Sequence, residues 1–203
     1  MNGVYIVKLI LKAIFKLIAA IVLTTVILVV AVFIYLVAKE YSPEATEVVT
    51  PPDGSGTVEV GSTVTLVSFN TGFASLGENA DFFMDGGTMV RAGSALDVTN
   101  AMDGITNTLQ SLDADIYLLQ EVDIDSKRTY SINQAEYYAD RIGMPYAFSL
   151  NYSAKFVPYP VKDMIGKVNS GIATYTGFGV SSASRVQLFV PFKWPVRAFN
   201  LKS

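Results

Sequence analysis

Twenty-two consecutive positions, from Leu17 to Ala38, carry no charge, and nearly all of them are Ile, Leu, Val, Ala or Phe. As a helix at about 1.5 Å per residue the run reaches about 33 Å, enough to cross a hydrocarbon core about 30 Å thick. Its apolarity on every face argues against a core helix, which would keep a polar side. Lys8, Lys12 and Lys16 precede it, and Lys39 and Glu40 close it. Basic residues on the N-terminal flank predict a cytoplasmic N-terminus and an extracellular remainder. A cleaved signal peptide is the competing reading. Its apolar core would span about 7–15 residues and end in a small-residue site. This run is longer, and Leu36-Val37-Ala38-Lys39 is a poor version of such a site. The expectation is an uncleaved, single-pass anchor in the cell membrane.

Charge divides at the same boundary. Residues 1–40 hold four Lys and one Glu, whereas residues 41–203 hold eleven Lys or Arg against seventeen Asp or Glu, a net of −6. An acidic unit gains nothing from the phosphate attraction behind nonspecific nucleic-acid binding. Chemistry on a phosphate stays open if a bound cation supplies the positive charge. The 203 residues contain no Cys and no His. Disulfides, thiolate sites, Ser-His-Asp chemistry and most zinc sites are thereby excluded within this chain. The lack of Cys fits an exported bacterial protein.

Tyr41 to Gly61, with Pro43, Pro51, Pro52, Gly54 and Gly56, reads as a linker. The domain is expected over 62–203. Ser62 to Asn70 alternates as a strand that ends in a turn at Asn70-Thr71-Gly72. Asp85-Gly86-Gly87 is a turn signal. A helix opens at Ser94 or Asp97 with Leu96, Met102, Ile105 and Leu109 on its apolar face, and ends over 112–115. Ile116 to Val122 is almost wholly apolar, as in a strand covered on both faces. Ser131 to Ile142 reads as a second helix stopped by Gly143. Further strands are expected over 146–152, 170–175 and 185–189, before the Pro191 to Pro195 stretch. Strand and helix in this alternation predict a layered α/β domain.

Asn70 and Glu121 each close a strand, and ligands of α/β sheets gather outside the carboxyl ends of strands. A carboxamide and a carboxylate there could share a hard cation such as Mg²⁺, which prefers oxygen ligands and keeps several waters. The plain alternatives are turn chemistry for Asn70 and a solvent-facing or Lys-paired carboxylate for Glu121.

Val67-Ser68-Phe69-Asn70-Thr71-Gly72, followed by Asp113-Ala114-Asp115-Ile116-Tyr117-Leu118-Leu119-Gln120-Glu121-Val122-Asp123, resembles the opening of the endonuclease/exonuclease/phosphatase superfamily. Asn169 to Tyr175 is similar to that family's next strand, and Ser184 to Leu188 to its sequel. The likeness covers about 62–203. It implies a DNase-I-like four-layer α/β/β/α sandwich behind the transmembrane helix, and hydrolysis of a phosphoester with Mg²⁺ or Mn²⁺. It further implies that Glu121 is a metal ligand and that Asn70 orients the metal or the phosphate. Asn151, Tyr152, Lys155 and Ser170 lie where this family approaches its substrate, which would be a nucleic acid, a lipid headgroup or a small molecule; a purely structural role is the equal alternative for them. The family's His pair, Asp-x-Asn motif and late Ser-Asp-His motif have no counterpart here. On that ground the chain is expected to be a truncated N-terminal half, inactive alone. A noncatalytic surface binding or scaffold module on the same fold is the alternative, and a fragment too incomplete to fold stably is a third reading.

The remaining polar and aromatic residues receive plainer expectations. Asp123 and Asp125 face solvent or cap the next segment, with metal contact as the sharper reading. Asp81 and Asp85 belong to a plain turn, or else to a rim loop over the site. Tyr137, Tyr138 and the Phe192–Trp194 stretch pack in the core, or in the latter case form an exposed apolar patch.

Overall fold

The computed structural model describes residues 3–39, 41–77, 80–83 and 86–188, and the chain separates into two compact units, Met1–Glu40 and Tyr41–Ser203. The expected features at Asp85, Phe189 and 191–195 lie outside the described residues.

The first unit is one helix, α1 (Gly3–Ala38), with no buried residue. It begins well before Leu17. Its length of about 54 Å exceeds a hydrocarbon core of about 30 Å. Lys8, Lys12 and Lys16 recur every fourth residue and therefore share one face of its first half. The helix is long and apolar enough to cross a membrane.

The second unit is mixed α/β. Its elements are β1 (Thr46–Val49), β2 (Leu66–Asn70), α2 (Ala95–Ser111), β3 (Ile116–Asp123), α3 (Gln134–Ile142), β4 (Tyr146–Val157), β5 (Gly166–Thr176) and β6 (Ala183–Val186). One sheet runs β2-β3-β5-β4, and a two-stranded sheet pairs β1 with β6. The strands β2 and β3 are parallel, while β5 runs antiparallel to both β3 and β4. The stretch read as a linker thus contains a strand. Thr46-Glu47-Val48-Val49 is rich in β-branched residues, and its partner lies over 130 positions away, beyond the reach of a local reading.

α2 opens at Ser94 as expected, whereas α3 starts at Gln134, three residues after the expected Ser131, and stops at Gly143 as expected. Ser94 caps α2 by accepting from the Asp97 amide, and Asn133 caps α3 by accepting from that of Glu136. Gly143 stops α3 in the left-handed region at φ 75°. The buried stripe of α2 is Val98, Met102, Thr106 and Leu109. Leu96 is exposed instead. It lies two residues, about 200°, around the helix from Val98, so no single stripe can hold both.

Val98, Met102, Leu109, Tyr117, Leu119, Tyr138 and Tyr175 form the core between the helices and one face of the main sheet. The other face stays open at Leu66 and Ile172, which are exposed. Among the described residues, the strand read as covered on both faces is fully covered on one and half-covered on the other, where Ile116 and Leu118 lie.

Burial pushes the hydroxyl pKa of Tyr138 and Tyr175 far above the ordinary phenol range. Their neutral forms stabilise the fold fully below about pH 10, the unfolded value, and the contribution is lost as pH rises. The melting temperature of this unit is expected to fall steeply above pH 10, and the phenolate absorbance of these two residues to emerge only with unfolding. Free titration of all tyrosines in the folded state would contradict this.

Candidate functional site

Asn70 ends β2, and its register partner on the neighbouring parallel strand is Gln120, the residue before Glu121. The two candidate side chains thus stand at the same end of adjacent strands, which lie about 4.8 Å apart. Beyond Leu119 the pairing of β3 with β5 shifts, so that Gln120 and Glu121 together oppose Ile172 alone. This is a β-bulge, a device that re-aims side chains and is common beside active sites. Glu121 sits in it with φ 56°, a left-handed conformation that costs a non-glycine residue about 1–2 kcal/mol. The residue is half-buried, and its carboxylate makes no hydrogen bond or ion pair among the described residues. The Lys-paired reading of Glu121 therefore does not hold within them.

β5 has a second irregular neighbour. Leu150 pairs with Gly171 and Tyr152 with Ser170, leaving Asn151 as the extra residue of β4. A side chain at Gly171 would collide with the Ser149 carbonyl at 2.1 Å, so glycine permits this close approach of β4. Two bulges, one carrying Glu121 and one carrying Asn151, therefore flank the same short stretch of β5.

Thr71 ties the first of these together. Its amide donates to the Gln120 carbonyl at 2.9 Å, and its hydroxyl reaches the carbonyls of Gln120 at 3.0 Å and Glu121 at 2.9 Å. The next three residues, Gly72, Phe73 and Ala74, all have positive φ. This strain lies at the carboxyl ends of β2 and β3. Asn70 itself accepts the Gly72 amide at 2.8 Å through Oδ1, which is the turn chemistry expected of Asn. An amide oxygen has a second lone pair, so that bond leaves room for a cation.

Behind the bulge lies a polar node that the sequence did not reveal. Asp123 is fully buried, and Arg128 donates to it twice, from Nε at 2.8 Å and a terminal nitrogen at 2.9 Å. Thr129 donates to it at 3.2 Å. The guanidinium lies 3.7 Å from the centroid of the Phe73 ring. Gln134 joins both sides by accepting the Asp123 amide at 3.0 Å and donating to the Phe73 carbonyl at 2.8 Å. Asp123 neither faces solvent nor offers a metal its oxygens; it anchors Arg128. No spacing rule identifies a pair five residues apart across a turn.

The other candidates divide. Ser170 shares a register row with Asp123 and Tyr152, but it is buried. Tyr152 is half-buried, and burial raises its pKa against the opposing charge of Arg128. Lys155 is exposed three residues further along β4, about 10 Å from Tyr152. Asp125 pairs with Lys167, whose hydrogen bond holds its pKa below the usual carboxylate range. Asp81 accepts the Thr88 amide at 2.9 Å and hydroxyl at 2.8 Å, as a plain turn does. Tyr138 is a core residue, as expected, and Tyr137 packs at its edge, donating to Asp103 at 2.6 Å.

Thr71→Val keeps the shape and deletes the hydroxyl, leaving two carbonyls without that donor. We expect a loss of about 1–3 kcal/mol in denaturant unfolding, largely restored in Thr71→Ser. Equal stability of all three proteins would show that the hydroxyl does not hold the bulge.

No protein-family model matches the chain, and no curated protein or solved structure matches it either.

Proposed function

We propose that this chain is a membrane-anchored phosphoester hydrolase dependent on Mg²⁺ or Mn²⁺, built on the endonuclease/exonuclease/phosphatase plan. The observation that carries the reading is Glu121, its backbone strained and its carboxylate without a partner among the described residues, at the same end of two parallel strands as Asn70. Strain of this kind clusters at metal and catalytic sites; Asp113, Tyr130 and Ser131 carry it in loops and turns, and Glu121 carries it inside a strand. Glu121 and Asn70 would hold the cation, and Asn151 would meet the substrate from the opposite bulge. When bound, the cation supplies Lewis-acid polarisation of the phosphoryl oxygen and a more acidic water. The main sheet with its two helices corresponds, in this reading, to one half of a DNase-I-like α/β/β/α sandwich. α1 anchors the chain with the lysine-bearing end in the cytoplasm and the acidic unit outside.

With no His in 203 residues, general acid–base help worth about 10²–10⁴-fold must come from elsewhere or be missing. The chain alone is accordingly expected to be inactive or nearly so, and any hydrolysis it retains should be slow. Hydrolysis of an activated phosphodiester by the detergent-solubilised chain should require Mg²⁺ or Mn²⁺ and vanish in Glu121→Gln. Activity that survives Glu121→Gln would remove Glu121 from the site.

The local hydrogen bond of Asn70 favours a second reading, a noncatalytic binding module on the same fold. Calorimetry with Mn²⁺ separates the two, because the module needs no cation and releases no heat on its addition.

A further inference from the structure

The last residues of β4 and the loop joining it to β5 expose apolar side chains. Phe156 is 41% exposed, Tyr159 56% and Val161 76%, with Lys155 and Lys162 on either side. The loop is nonetheless built firmly. Val157 and Ile165 at its base are buried with Val90 and Val168 in a small second cluster. The Ile165 amide donates to the Tyr159 carbonyl at 3.2 Å, and one side of the Tyr159 ring meets Phe83 at 5.6 Å between centroids. The loop's one acid, Asp163, is paired with Arg91. Lys155 and Lys162 make no ion pair among the described residues. The loop is therefore a cationic and apolar tip on a unit of net charge −6.

An aromatic ring with a polar end, an aliphatic neighbour and flanking lysines form the composition that favours a membrane interface. Charge then selects the orientation: an anionic bilayer repels most of the acidic unit and attracts this tip. We propose that residues 155–162 form a second membrane contact that seats on an anionic bilayer. Tyr159 and Val161 enter the headgroup boundary, and Lys155 and Lys162 meet anionic headgroups. The proposal rests on the reading of α1 as an anchor, which holds the unit near the lipid and lets a weak contact persist through high effective concentration. It does not depend on the phosphoesterase reading.

The absence of Cys allows single-site labelling. The full chain is reconstituted in nanodiscs of phosphatidylglycerol or phosphatidylcholine, with an environment-sensitive fluorophore on Val161→Cys or, as a control, on Asn107→Cys in α2. Incorporation into discs reports on the anchor, and shielding of the label from an aqueous quencher reports on the loop. The expected result is shielding at 161 in phosphatidylglycerol discs and none at 107. Each lysine near such a surface contributes about fivefold, so Lys155→Gln with Lys162→Gln should lower the docked-to-free ratio about 25-fold. Incorporation without shielding at 161 overturns the loop contact and spares the anchor. Failure to incorporate overturns both. Equal shielding in both lipids, or shielding in detergent alone, would mean an uncharged contact or a protein partner and would also overturn the proposal.

Discussion

Asp123→Ala should destabilise the globular unit by about 3–5 kcal/mol, because it leaves the half-buried Arg128 guanidinium without its counter-ion. A domain of this size has a total stability of about 5–15 kcal/mol, so much of the margin disappears. The cost exceeds that of a surface ion pair because both Asp123 oxygens are engaged and no water reaches them. The damage also spreads: Arg128 covers Phe73, and Gln134 joins Asp123 to the same residue. Replacing both partners, Asp123→Leu with Arg128→Met, should recover most of the loss, since the penalty comes from the orphaned charge. Urea unfolding of the three proteins checks this. A single mutant that loses less than about 1 kcal/mol would place the pair in the class of weak surface bridges.

Position 121 should give two effects of opposite sign. On the proposed function, both Glu121→Gln and Glu121→Gly remove the charged oxygen that would hold the cation. Outer-shell substitutions already cost about 10–100-fold in metal affinity, so loss of the ligand itself should weaken Mn²⁺ binding on the order of 100-fold or more. Glu121→Gly also relieves the left-handed backbone at φ 56°. Allowing for the extra freedom of glycine in the unfolded chain, it should gain about 0.5–1 kcal/mol, while Glu121→Gln keeps the strain and gains nothing. A residue kept at the expense of stability and needed for metal is the signature of a functional position. Titration calorimetry and thermal melts on the same samples test both halves. If the glycine variant is less stable, the strain is not real. If metal affinity is unchanged, Glu121 is not a ligand.

Local chemistry made much of this fold legible. The cap at Ser94, the stop at Gly143 and the apolar run of β3 each follow from short-range rules. Asn70 and Glu121 stood out because a polar residue at the end of an apolar strand is conspicuous by composition alone. Non-local pairing was the part the sequence kept back. β1 finds its partner near the other end of the chain, so its proline-rich surroundings read as a linker. The two bulges depend on where Gly171 lets β4 approach, and no periodicity encodes a register shift. Thr71 and Arg128 escaped notice for a related reason. Their roles exist only once strand ends and turns come together, and hydroxyls and guanidinium groups are common on surfaces.

Whether Asn70 and Glu121 share a cation is read by locating the ion. Substoichiometric Mn²⁺ added to the isotope-labelled full chain in detergent broadens amide resonances near the bound ion. Asn70 to Gly72 and Gln120 to Val122 should broaden first, and the effect should be lost in Glu121→Gln. Broadening centred on other acidic residues, or spread evenly over the surface, would contradict a cation shared by Asn70 and Glu121.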